Sequence, residues 1–147
     1  MTFDMNDEDR FSESAPGEGT LFKERKILVV DDDPDMLVLI TLVVSKIVGY
    51  VYQTHFPREG LRLAITYKPD LIILDNDMPD MKGVEVLNNL RDMPNTRQTP
   101  VLMLTADNSE ASVKKAIQHQ ASGYLLKPFD PPTLRDEVVK ILAGLKP

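Results

Sequence analysis

The sequence predicts an α/β fold, a doubly wound parallel sheet with helices on both faces. Three observations predict it. The short runs Ile27–Val30, Leu71–Leu74, Val101–Leu104 and Tyr124–Leu126 are apolar at every position, which marks strands buried on both faces rather than strands with one wet face. Segments with apolar residues at helical spacing lie between them. Strand and helix alternate five times, as parallel crossovers require.

Residues 1–22 come first and stand apart. They hold Asp4, Asp7, Glu8, Asp9, Glu13 and Glu18 against Arg10 alone, with few large apolar residues. Such a composition cannot repay the entropy of ordering, so a disordered acidic extension is expected, with the folded domain over 23–147.

The first strand runs into Asp31-Asp32-Asp33. Asp33-Pro34-Asp35 then opens a helix, with acids at its positive end and proline in its first turn. Met36, Leu39, Ile40, Val43, Val44 and Ile47 form its inward stripe, and Gly49 closes it. Val51–His55 is a weaker second strand. Arg58–Tyr67 follows as a helix with Leu61, Ala64 and Ile65 inward, and Pro69 resets the chain for the central strand. After Gly83, the residues Val84, Leu87 and Leu90 predict a short third helix, closed by the loop from Pro94 to Pro100. The fourth strand ends at Thr105, and Asn108 or Ser109 can cap a fourth helix carrying Val113, Ala116 and Ile117. The fifth strand is Tyr124–Leu126. Pro131 and Pro132 start a last helix whose Leu134, Val138, Ile141, Leu142 and Leu145 share one face.

Composition narrows the function classes. The 147 residues suit one domain. No apolar run approaches the roughly 20 residues that span a bilayer, the first residues lack the basic start and apolar stretch of a secretory signal, so none is expected, and a cytoplasmic protein is expected. The chain has no cysteine, which removes disulfides, zinc-thiolate sites and thiol nucleophiles. Of the net charge of −6, −5 falls on residues 1–22, leaving the domain at −1. No basic block marks a nucleic-acid surface, so direct nucleic-acid binding is not expected.

Ligands of open α/β sheets bind outside the carboxyl ends of the strands. Asp31 and Asp32, Asp75, Thr105 and Lys127 all fall at such ends. Three carboxylates, a hydroxyl and an ammonium are the groups that hold a hard divalent cation beside a phosphoryl group. Asp75 is a competent oxygen nucleophile for a phosphoryl group. Asp31 and Asp32 diverge on a regular strand but can approach one cation where the strand turns into a loop. Asp33 and Asp35 are helix caps. For Asp77, the backbone carbonyl can bind metal while the side chain faces solvent. Lys127 alone would pass for a solvated lysine and Thr105 for a β-branched strand residue; their common end of the sheet favours a site. His55 and His119 lack metal-ligand spacing.

The set VVDDD at 29–33, LIILDNDMPDMKG at 71–83, MLTAD at 103–107 and GYLLKPF at 123–129 resembles the receiver domain of two-component response regulators, chemotaxis-regulator-like, over about residues 24–146. The resemblance implies a flavodoxin-like (βα)5 three-layer sandwich with strand order 2-1-3-4-5. It implies a single-domain response regulator, a phosphoprotein in which Asp75 takes a phosphoryl group from a histidine kinase or histidine phosphotransfer protein, in a magnesium-dependent reaction that the domain itself catalyses, as it does the later dephosphorylation. Asp32 and Asp75 would bind Mg2+ directly, Asp31 through water and Asp77 through its backbone carbonyl. Thr105, Ala106 and Lys127 would bind phosphoryl oxygens. Thr105 and Tyr124 would be the switch residues, remodelling the face of the fourth helix, fifth strand and fifth helix for a downstream protein target. Such a domain is a switch rather than an enzyme with a released product. Gln120 stands where that family has a helix-ending glycine. Two rivals are a receiver-like interaction module that is not phosphorylated, and a haloacid-dehalogenase-type phosphatase, which Asp75-Asn76-Asp77 also resembles. Pro79 and the region around Pro128 depart from the phosphatase pattern.

Overall fold

A computed structural model describes residues 10–12, 20–107, 109–118 and 120–146; of residues 10–12 and Ala116 only the backbone is described. The elements in chain order are β1 (Arg10–Ser12), β2 (Phe22–Val30), α1 (Pro34–Val44), β3 (Val48–Thr54), α2 (Pro57–Tyr67), β4 (Leu71–Asp75), α3 (Gly83–Asp92), β5 (Val101–Thr105), α4 (Glu110–Gln118), β6 (Gly123–Leu126) and α5 (Pro131–Ala143). The sheet order is β1-β3-β2-β4-β5-β6. Counted without β1, the five parallel strands stand in the order 2-1-3-4-5, as expected for a flavodoxin-like sandwich.

Strand alternation divides the core into two layers. Ile27, Val29, Leu71, Ile73, Leu102 and Leu104 face α1 and α5, where they meet Leu37, Ile40, Val44, Leu134, Val138 and Leu142. Leu28, Val30, Ile72, Leu74, Val101 and Met103 face α2 and α3, against Leu63, Ala64, Val86, Leu87 and Leu90. Each buried Leu, Ile or Val contributes about 1.5–3 kcal/mol relative to exposure. The continuous apolar runs of β2, β4 and β5 are thus explained, since each apolar residue belongs to one layer or the other. The run in β6, expected to be buried on both faces, is only half-buried because β6 is the sheet edge, and Leu126 is 40% exposed.

Several boundaries differ from expectation. β2 begins at Phe22 through the polar stretch Lys23–Lys26, whose outward residues carry no apolar signal. Within the leader, Arg10–Ser12 forms β1, antiparallel to β3; an open sheet edge accepts any extended backbone, so no side-chain pattern announces such a strand. Residues 1–9 and 13–19 of the expected disordered extension lie outside the described residues, as do the proposed cap Asn108 and His119. Gly49 does not close α1, which ends at Val44; it lies inside β3. Of the predicted α1 stripe, Ile40, Val44 and Ile47 are buried and Met36 and Val43 pack against the same core, while Leu37 and Thr41 join the buried face and Leu39 is only half-buried. In α2 the predicted Ala64 is buried and Leu61 packs half-buried against the same layer, but Leu63, not predicted, is the large buried residue, and Ile65 is exposed. Ile117 of α4, expected inward, is 68% exposed.

Helix ends are fixed locally. The Asp33 carboxylate accepts the Asp35 N–H at 3.0 Å, and Pro34 occupies the first turn of α1. Asp130 accepts the Thr133 N–H at 2.8 Å to start α5. Gln120 adopts φ 64°, so it takes the left-handed conformation that a helix-ending glycine would supply. Arg91 ties the end of α3 to this turn, donating to Thr96 O at 3.1 Å and Gln120 O at 3.0 Å. No helix among the described residues is long and apolar enough to cross a membrane.

Candidate phosphoryl and metal site

The strands deliver their polar residues to one end of the sheet. Val30 pairs with Leu74, so Asp31 follows β2 level with Asp75 at the end of β4. Asp75 pairs with Leu104, one residue before Thr105. Lys127 is fixed by its N–H donating to Thr105 O at 2.8 Å, and the Lys127–Pro128 peptide bond is cis. Sequence order and sheet register together therefore bring Asp31, Asp32, Asp75, Thr105 and Lys127 into one crevice.

Asp31 and Asp75 are buried, and Asp32 is partly exposed. One carboxylate oxygen from each lies within 4.8 Å of the others, a set of hard oxygen donors that suits magnesium, which completes its shell with water. Among the described residues this is the group of three or more acids able to share a cation. The Lys127 ammonium donates to Asp75 Oδ1 at 3.0 Å and lies 3.4 Å from Asp31 Oδ2. Burying acids beside each other is costly unless positive charge answers them. Lys127 is that answer in the protein alone.

The electrostatics follow the geometry. Burial pushes the Asp31 carboxyl up to about 7; the neighbouring Asp75 charge adds to this, while the Asp33 N–H at 2.9 Å and Lys127 oppose it. Asp32 is raised as well, by burial and by Asp75. Burial disfavours the Lys127 ammonium, yet the bond to Asp75 and the charge of Asp31 outweigh it and raise its pKa. With all three carboxylates ionised, Lys127 leaves the site two positive charges short of neutral, the charge a divalent cation would bring.

The two loops beside the crevice are tied to it. The Asp77 N–H donates to Asp75 Oδ1 at 3.0 Å. Asp77 is exposed, but its carboxylate does not simply face solvent: Oδ1 accepts from the Thr105 hydroxyl at 3.1 Å and Oδ2 from the Ala106 N–H at 2.9 Å. The sequence suggested its backbone carbonyl; the Asp-X-Asp spacing was the one available sign of a fourth acid beside the crevice. Thr105 in turn accepts the Asp107 N–H at 3.0 Å. The Asp107 carboxylate accepts from the Ser109 N–H at 2.9 Å and the Ser112 hydroxyl at 2.5 Å, holding the start of α4. The Tyr124 hydroxyl donates to Asp107 O, and its half-buried ring packs against the α2–α3 layer. Thr105 and Tyr124, singled out from sequence, thus both hold the backbone of Asp107.

Gly83 allows the crevice to form. A Cβ there would stand 2.5 Å from Asp75 O and 2.7 Å from Asn76 Cα, both backbone atoms. Asn76 meanwhile accepts the Val84 N–H at 3.0 Å, binding the loop after Asp75 to α3.

Comparison with known proteins agrees with the geometry. The model of the response regulator receiver domain family matches residues 27–139. The chain is 32% identical over 131 residues to the chemotaxis protein CheY-3 of Vibrio cholerae, covering 87% of this chain and 99% of that one. It is 36% identical over 118 residues to the alkaline phosphatase synthesis transcriptional regulatory protein PhoP of Bacillus subtilis, covering 80% of this chain but 48% of PhoP, so it spans about half the length of that relative. Among solved structures, the Vibrio cholerae chemotaxis protein CheY4 superposes with a TM-score of 0.75 at 30% identity, over 80% of this chain and 98% of that one.

Proposed function

The chain belongs to the response regulator receiver family of two-component signalling, and from that premise we propose that it is a switch operated by phosphorylation of Asp75. The observation that carries this reading is the contact of Lys127 with Asp75 and Asp31 at the mouth of a three-carboxylate crevice. An Asp75 oxygen attacks phosphorus, and the bond from phosphorus to the donor's leaving group breaks as the new O–P bond forms. The donor class is the phosphohistidine of a histidine kinase or histidine phosphotransfer protein. Magnesium, held by Asp32 and Asp75, by Asp31 through water and by the Asp77 carbonyl, would offset the negative charge that otherwise repels the phosphoryl group.

The chain's own residues do the rest. Lys127 turns from Asp75 to a phosphoryl oxygen, keeping its charge in the crevice. Thr105 and the Ala106 N–H, which donate to Asp77 in the unphosphorylated protein, would supply further donors to the phosphoryl oxygens. Drawing Thr105 toward the phosphoryl group pulls on the Asp107 N–H that it holds, and Tyr124 is attached to that same residue. The output is a changed surface over α4, β6 and α5, where Ile117 and Leu126 already stand exposed for a downstream protein.

Intact mass after incubation with magnesium and acetyl phosphate tests the reading. One added phosphoryl group is expected, absent with chelator and absent in Asp75→Asn. No adduct, with donor competence shown on another receiver, would favour an interaction module that works without phosphate; steady donor hydrolysis without an adduct would point to a phosphatase.

A further inference from the structure

Asp77 does something that none of the roles above requires. Its two carboxylate oxygens sit on two donors, the Thr105 hydroxyl at 3.1 Å and the Ala106 N–H at 2.9 Å. Those are the two donors that the proposed function assigns to phosphoryl oxygens. A carboxylate presenting two oxygens to two donors copies one edge of a phosphoryl group. Both sets of oxygens are anionic, so they cannot share these donors; a phosphoryl group arriving on Asp75 must evict the side chain. Eviction is feasible because Asp77 is exposed and can swing into water.

Accepting that Asp75 is the phosphoryl acceptor, we infer that Asp77 is an internal ligand that occupies the phosphoryl-oxygen sites of the unphosphorylated protein. The single proton of the Thr105 hydroxyl is thereby committed to Asp77 before any signal, while its oxygen accepts from the Asp107 N–H. Phosphorylation exchanges one anion for another on the same two donors instead of filling empty ones. Asp77 acts as a positioning and specificity residue: it holds Thr105 in the resting place and handicaps free phosphate-like anions that lack a covalent link to Asp75.

The test uses the full chain, 15N-labelled, with fluoroberyllate and magnesium as the non-covalent stand-in for the phosphoryl group. In the free protein, Asp77→Ala is expected to move the Ala106 amide proton upfield, because its charged acceptor is gone. Fluoroberyllate is expected to bind Asp77→Ala about tenfold more tightly, the worth of roughly one charge-assisted hydrogen bond at an exposed site. Asp77→Asn, which keeps one acceptor oxygen, should fall between. The gain should persist at about 1 M salt, where charges act over only about 3 Å. An Ala106 amide that does not respond to either substitution would overturn the inference, and so would a gain that vanishes at high salt, since Asp77 would then act only through its net charge. Labelling by acetyl phosphate separates this from the acceptor reading. If neither protein gains a phosphoryl group, the acceptor reading fails and takes the inference with it; if both are labelled and Asp77→Ala no faster than wild type, the inference alone fails.

Discussion

Asp31 has a folded-state pKa near 7 against an ordinary value of 3.8 because it is fully buried beside Asp75. The sign of its linkage to stability follows. Below about pH 4 it is protonated folded and unfolded; between about pH 4 and 7 the native state keeps a proton that the unfolded state has lost. Stability of the metal-free protein should therefore fall as pH rises through that window. Thermal melts at intervals across it should show a decline that Asp31→Asn flattens, and a melting temperature indifferent to pH would contradict the burial argument. At this scale the sequence was legible where a polar residue follows an apolar run, because chain direction alone puts it at a strand end: Asp31, Asp75 and Thr105 were found that way. The Asp77 contact was not, since the aim of a loop side chain depends on how the turn after Asp75 closes against β5, a neighbour 28 residues away.

Elements were legible in proportion to how one-sided their patterns are. β4 is buried at all five positions, and its apolar run said so. In α1 nearly every residue from Met36 to Val44 is apolar, so periodicity could not choose a face, and the helix packs on Leu37, Ile40, Thr41 and Val44 while Val38 and Leu42 are 50% exposed. β1 left no trace because its pairing is backbone to backbone. The junction of β4 and α3 yields a prediction at this scale. Gly83→Ala places a methyl against the Asp75 carbonyl and Asn76, which are main chain and cannot turn aside. We expect a loss of about 1–3 kcal/mol in denaturant unfolding, together with slower labelling of Asp75 because its loop is pushed out of place. Unchanged stability would mean that α3 shifts as a body to make room.

For the whole molecule, β2, β4 and β5 each contribute alternate residues to both core layers, so neither layer can melt without the other, and one cooperative transition is expected. Magnesium acts on that whole. Binding only the folded crevice, at a free concentration about 100-fold above its dissociation constant, it should add about 2.7 kcal/mol. Calorimetry with magnesium and then with chelator should show the melting temperature rise and return, and Asp32→Asn should blunt the rise; an equal rise in that variant would exclude Asp32 as a ligand.

The fourth helix stands outside this cooperative body. None of its described residues belongs to either core layer; Asp107 and its serine contacts hold one end, and Arg91, through Gln120, braces the turn just past the other. Of its described side chains only Ser112 and Val113 are half-buried and the rest are exposed, so displacing it would break a few polar contacts and uncover little apolar surface of those residues. Exposure of apolar surface is what gives a conformational equilibrium a large heat-capacity change, and with it a strong temperature dependence. A movement confined to α4 carries little of that term. Its set point would hold as the surroundings warm or cool, even while the stability of the sandwich beneath it follows a steep curve.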